Sequence, residues 1–205
     1  MASVISINPQ HLDAQHIEHA ASVLRAGGVI IYPTDTIYGL GCDITNPAAI
    51  ERVQRIKGRD ANKPMSFVCA TLNDVDRYAR VSAYARPLLE QCLPGAYTFV
   101  LPAADGAPLA LTTGQQTVGL RIPDHPVPLA LVSALGAPIL STSANFSTQE
   151  VITEPRDLEE QMGSLVDLIL ASGSLPVQPS SVVSLVGDRA EVLRAGKGDL
   201  RLFQP

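Results

Sequence analysis

Apolar residues along this chain fall into short runs that switch between two periods. In residues 11–26, Ile17, Ala20, Ala21 and Leu24 recur at helical spacing until Gly27-Gly28 stops the pattern, which predicts an amphipathic helix. Val29-Ile30-Ile31-Tyr32 is a short continuous apolar run, as in a buried strand, and it leads into a polar loop, Pro33-Thr34-Asp35-Thr36. Asn46 is a suitable N-cap with Pro47 at the first helical position, and Ile50, Val53 and Ile56 mark the buried stripe of a helix that runs to Lys57. A strand is expected over 65–69 after Pro64, a helix over 85–92 ahead of Pro94-Gly95, and a strand over 97–101.

The second half repeats the alternation. Strands are predicted over 117–121 and 138–142 with a helix over 127–135 between them. A short helix over 155–162 follows, then strands near Leu168, over 182–185 and over 192–194. The turn at Gly187-Asp188 is short enough for a hairpin, so the sheet is not purely parallel. No repeat, low-complexity tract or long linker interrupts the pattern. The expectation is one α/β domain over residues 1–205, a twisted mixed parallel and antiparallel sheet flanked by helices.

Composition narrows the class. Hydrophobic residues make up 46% and aromatics only 4%, so the core is aliphatic. No run reaches the roughly 18–20 apolar residues of a membrane span, and no secretory pattern opens the chain. Cys42, Cys69 and Cys92 are odd in number and widely spaced, which points to reduced thiols in a cytoplasmic protein rather than a disulfide framework. The net charge of −5 argues against a surface coated for nucleic acid. Yet Arg52, Arg55, Lys57, Arg59 and Lys63 gather within twelve positions, either as a solvated face or as a site for an anion.

Candidate chemistry sits at strand ends, where open α/β sheets collect ligands. Hydroxyls and an amide occur in residues 33–36, in Ser141-Thr142-Ser143-Ala144-Asn145 and in Pro179-Ser180-Ser181, as turn caps or as parts of a shared polar site. Gly58 is placed to end the second helix, leaving Lys57 and Arg59 to splay from it toward the helix dipole or toward phosphates. Arg121 and Arg194 each end an apolar strand and require a carboxylate partner, from the protein or from a ligand. Gly39-Leu40-Gly41 lacks the lysine of a phosphate-binding loop, and His11, His16, His19 and His125 form no metal-ligand pattern, so no metal site is expected.

Taken in order, residues 27–41, Lys57-Gly58-Arg59, residues 93–100, residues 119–123, residues 141–145, residues 179–183 and residues 192–196 resemble the YrdC/YciO family across nearly the whole chain. Its best-known members are threonylcarbamoyl-AMP synthases, which combine L-threonine, bicarbonate and ATP, release pyrophosphate and feed a tRNA modification. The resemblance implies Lys57 and Arg59 as catalytic residues. It assigns ATP to Lys57, Arg59, Lys63, Thr117, Ser143, Asn145 and Arg194, with Mg²⁺ bound through the phosphates. It assigns threonine to Thr36, Arg121, Ser141 and Ser180, with Arg121 on the carboxylate. Met65-Ser66-Phe67-Val68-Cys69 lacks the histidine of many family synthases, and the chain is most similar to the YciO branch. That branch implies the alternative, a nucleotide- or RNA-binding protein tied to ribosomes or RNA without turnover, in which residues 52–63 form an RNA patch. Other implied partners are tRNA-modification proteins, with no membrane.

Overall fold

In a computed structural model that describes residues 1–58, 65–105, 107, 116–147 and 149–203, ten strands join into one mixed sheet with helices on both faces. The chain order is β1 (Ser3–Ser6), α1 (Ala14–Arg25), β2 (Val29–Tyr32), β3 (Gly39–Asp43), α2 (Pro47–Lys57), β4 (Ser66–Val68), α3 (Leu72–Tyr78), α4 (Ala85–Cys92) and β5 (Tyr97–Pro102). It continues through β6 (Thr117–Arg121), α5 (Pro126–Leu135), β7 (Ile139–Ser143), α6 (Pro155–Met162), β8 (Leu168–Ala171), β9 (Ser181–Ser184) and β10 (Glu191–Arg194). Arg59 and Lys63 lie outside the described residues.

Local chemistry explains most boundaries. Asp13 accepts the amide of Gln15, so the first helix starts at Ala14 rather than at residue 11. Asn46 accepts the amide of Ala49 with Pro47 at N1, and Gly58 closes α2 in the left-handed conformation at φ 57°. The β9–β10 hairpin turns through Gly187 and Asp188, both at positive φ. Three elements were absent from the sequence expectation: the edge strand β1, the glycine-interrupted β3 and the seven-residue α3, which starts on a Thr71/Asp74 capping box.

Strand order is β1-β8-β2-β3-β7-β4-β6-β5-β9-β10. The pairs β1/β8, β2/β8, β4/β6 and β5/β9 are parallel, and the remaining pairs are antiparallel. Register produces two contrasting rows across the sheet. One row reads Val29, Cys42, Leu140, Phe67, Leu120, Phe99, Val183 and is wholly buried; α2, α3, α4 and α6 pack on it. The adjacent row, on the opposite face, reads Ile30, Gly41, Ser141, Ser66, Gly119, Val100. On that face α1 and α5 cover the end formed by β2 and β8, burying Ile17, Leu24, Val127 and Leu131 against Ile30, Leu168 and Leu170. The three cysteines are buried and unpaired. No helix among the described residues is long and apolar enough to cross a membrane.

Candidate functional site

Where α1 and α5 stop, the small-residue face of the sheet lies open. Gly39, Gly119, Ser66, Ser141 and Ser143 leave room that larger side chains would fill, and Thr98, Thr117, Ser180 and Arg194 complete the walls. The resulting cavity has a volume of about 410 Å³, within the range of small-ligand sites. Apolar side chains close its rim, among them Ile37, Met65, Val151 and Leu193.

Arg121 ends β6 at the cavity wall and is 9% exposed. Its Nη2 donates to Asp35 Oδ1 and to Thr36 Oγ1, the latter at 2.7 Å. Burial draws the Arg121 pKa below its ordinary value, and Asp35 pulls it partly back. Its Nε–H is buried without a hydrogen-bond partner among the described residues, a costly arrangement that a ligand oxygen would relieve. No Asp or Glu lines the cavity among the described residues, so its two arginines favour an anion.

The hydroxyls are ordered by one another. Ser180 Oγ and Thr98 Oγ1 share a hydrogen bond of 2.9 Å, and Arg194 donates through Nε and Nη2 to the Ser180 carbonyl at 3.2 and 2.8 Å. Tyr32, fully buried, donates to Ser141 Oγ at 2.7 Å. Thr34 Oγ1 accepts the Thr36 amide at 3.1 Å and donates to the Ile37 carbonyl at 2.6 Å, fixing the loop that carries Asp35.

Lys57 departs from the splayed arrangement expected of it. It is 1% exposed, and Nζ donates to the Ser143 carbonyl at 2.7 Å, to Asn145 Oδ1 at 2.8 Å and to the Asn145 carbonyl. The cause is its place on α2: Ile50, Val53 and Lys57 are spaced three and four residues apart, so Lys57 belongs to the buried stripe. Asn145 is equally committed, since its Oδ1 also accepts from Ser143 Oγ at 2.6 Å and its Nδ2 donates to the Gln149 carbonyl at 2.7 Å.

Thus Thr117, Arg121, Ser141, Ser143, Ser180 and Arg194 line one cavity, while Thr36, Lys57 and Asn145 support its wall from behind. Among the described residues of the basic run, two are already engaged within the protein. Arg52 pairs with Asp167 at 2.5 Å and Lys57 is buried. Sequence reasoning did not assign Tyr32, Asp35, Ser66 or Thr98. Asp35 lies in the polar loop of residues 33–36, and Ser66 and Thr98 alternate with buried Phe67 and Phe99.

A family model for Sua5/YciO/YrdC proteins, described as "Telomere recombination", matches residues 22–196. YciO of Escherichia coli, an uncharacterized protein, is 35% identical over 205 residues, covering 99% of this chain and all of that one. Its crystal structure superposes with a TM-score of 0.95 at 34% identity over the full length of both chains. A threonylcarbamoyl-AMP synthase of Vibrio vulnificus is 35% identical over 158 residues, 76% of this chain and 85% of the synthase. The structure of P. abyssi Sua5 complexed with L-threonine matches with a TM-score of 0.90 at 28% identity, over 95% of this chain and 58% of Sua5.

Proposed function

Because the chain belongs to the Sua5/YciO/YrdC family, we propose that it is a threonylcarbamoyl-AMP synthase-like enzyme, a nucleotidyltransferase acting on ATP, bicarbonate and L-threonine. The observation that carries this reading is the buried Arg121, which lines the cavity and whose Nε–H lacks an acceptor among the described residues. A planar guanidinium there suits a carboxylate, and threonine is the ligand named for a related structure. Ser141, Ser180 and Thr98 would hold the amino acid's polar groups, and Ser143, Thr117 and Arg194 the nucleotide.

In this scheme the threonine amine adds to bicarbonate with loss of water, giving a carbamate. A carbamate oxygen then attacks the α-phosphorus of ATP, and the bond to the β-phosphate oxygen breaks as pyrophosphate leaves. The cavity contributes positioning and charge neutralisation: Arg121 fixes the carboxylate, and Arg194 offsets charge at the phosphates. Mg²⁺ would enter with the triphosphate, since no three Asp, Glu, His or Cys side chains converge among the described residues. The product would feed the threonylcarbamoyl modification of tRNA in the cytoplasm.

Lys57 favours a second reading, a nucleotide-binding protein without turnover, because its ammonium is already held by the oxygens of residues 143 and 145. The RNA-binding form of that reading needs residues 52–63 as one patch, and binding through several phosphates would weaken steeply with salt. Incubating the protein with ATP, bicarbonate and L-threonine separates the two. Threonine-dependent pyrophosphate release supports the synthase, and nucleotide binding without it supports the alternative.

A further inference from the structure

The paired glycines of β3 have a structural reason that leads back to the cavity. Tyr32 is opposite Gly39 in the β2/β3 ladder, and its side chain lies across β3 to reach β7, the next strand. A Cβ added at Gly39 would stand 3.0 Å from Tyr32 Cζ and 3.3 Å from Ser141 Oγ; one added at Gly41 would stand 3.1 Å from Tyr32 Cε1. The Tyr32 ring therefore occupies the space where a side chain at Gly39 would project, and it borders Gly41, where the Leu140 carbonyl at 2.6 Å and Ile139 Cγ2 at 2.7 Å stand closer still. The Tyr32 hydroxyl emerges beyond Gly39 and donates to Ser141 Oγ at 2.7 Å.

That donation sets the direction of a second proton. A serine hydroxyl has one proton and two lone pairs. With one lone pair engaged by Tyr32, the Ser141 proton has no acceptor of its own among the described residues, and Ser141 and Arg121 line the same cavity. Tyr32 is fully buried, and desolvation holds its phenol protonated, with its pKa pushed up to about 12, so it remains a donor at every physiological pH.

We propose that Tyr32 is a positioning residue: laid over Gly39 and Gly41, it turns the Ser141 hydroxyl into a directed donor to the carboxylate of a small ligand held at Arg121. This deepens the proposed function and rests on it for the identity of that ligand. Tyr32 touches no ligand itself and acts through Ser141.

The test is Tyr32→Phe, which keeps the ring over the glycines and removes the one oxygen, compared with Ser141→Ala and the double variant. Calorimetry with L-threonine, L-serine and acetate, and separately with ATP, gives the affinities; thermal unfolding checks the fold. Tyr32→Phe should weaken the bound carboxylate about tenfold, the scale of a misdirected hydrogen bond to a charged group, and leave ATP affinity within about twofold. The double variant should be no weaker than Ser141→Ala alone, because both changes remove the same bond. Unchanged carboxylate affinity in a folded Tyr32→Phe protein overturns the proposal, whatever happens to the melting temperature, as does strict additivity. Wild type binding serine or acetate but not threonine overturns the substrate assignment and leaves the Tyr32 comparison to be read on the ligand that binds. Binding of none of the three overturns both.

Discussion

Replacing Asp35 with Asn keeps the shape of the side chain and removes its charge, which isolates what the Asp35–Arg121 pair contributes. Both side chains are buried, at 11% exposure for Arg121 and 8% for Asp35, so water cannot take over the lost neutralisation. Removing one partner of a buried ion pair costs about 3–5 kcal/mol. The amide oxygen of Asn can still accept from Nη2, and Thr36 Oγ1 remains at 2.7 Å, which lowers the expected loss to about 2–4 kcal/mol. In a chain of 205 residues each kcal/mol moves Tm by roughly 2–4 °C, so the midpoint should fall by about 4–16 °C. A ligand carboxylate at Arg121 would restore neutrality in place of Asp35. Saturating L-threonine should therefore raise the midpoint of Asp35→Asn by more than that of wild type. Thermal unfolding of both proteins, with and without threonine, is the assay. A fall below about 2 °C would refute the buried-pair argument, and an equal threonine shift in both proteins would refute the carboxylate's place at Arg121.

Three further outcomes follow from other parts of the molecule. Lys57→Met should lower stability by about 2–3 kcal/mol by orphaning the oxygens of residues 143 and 145; a variant that loses ATP affinity at unchanged Tm in calorimetry and thermal scans would instead make Lys57 a direct phosphate ligand. His125 caps α5 by accepting the Val127 amide at Nδ1, and burial lowers its pKa below 6.5, so the unfolded chain binds the proton more tightly. Its contribution is fully present above pH 6.5 and is lost as pH falls toward the lowered folded value; His125→Asn, which retains a cap, should flatten the pH dependence of denaturant midpoints in that window. Cys42, Cys69 and Cys92 are buried with thiol pKa values raised chiefly by desolvation, so mass spectrometry should find them unalkylated in the native protein at pH 8 and all three modified in denaturant.

Much of this architecture was legible because local signals and burial agree. Asn46, Pro47 and Gly58 bracket α2 as their chemistry dictates, and Gly187-Asp188 makes the hairpin that rules out a parallel sheet. The failures have physical causes. β1 is four residues long at a sheet edge, with too little burial to impose an apolar pattern. β3 carries Gly39 and Gly41, which weaken strand propensity; the Tyr32 ring on one neighbouring strand crowds Gly39, and the Leu140 carbonyl and Ile139 on the other crowd Gly41, all invisible to any local window. Lys57 was misread because a cation at a helix end fits the dipole as well as it fits an anion, although its spacing from Val53 already put it on the buried stripe. Six of the residues expected at the site do meet at one cavity, because strand ends from distant parts of the chain become neighbours only through sheet order.

The cavity owes its shape to residues that cannot touch a ligand. Side chains alternate across a strand with a period of two, so each strand that turns Ser66, Gly119 or Ser141 toward the cavity turns Phe67, Leu120 or Leu140 toward the helices behind. Burying side chains such as those contributes about 1.5–3 kcal/mol each, whereas the small polar residues opposite contribute little to stability. A slip of one residue in any ladder would exchange the two rows, exposing Phe67 or Leu140 to the cavity and driving serines into the core. The energy that forbids the slip comes from the apolar row and from Val68 and Ile139, which the same strands bury under α1 and α5 at the covered end. Hence the position of Ser141 relative to Arg121, on β7 and β6 with β4 between them, is enforced by residues away from the cavity: Leu140, Phe67 and Leu120 on the far side of the sheet, and Val68 and Ile139 under the covering helices. The bare face can remain bare because nothing in the folding energetics depends on filling it.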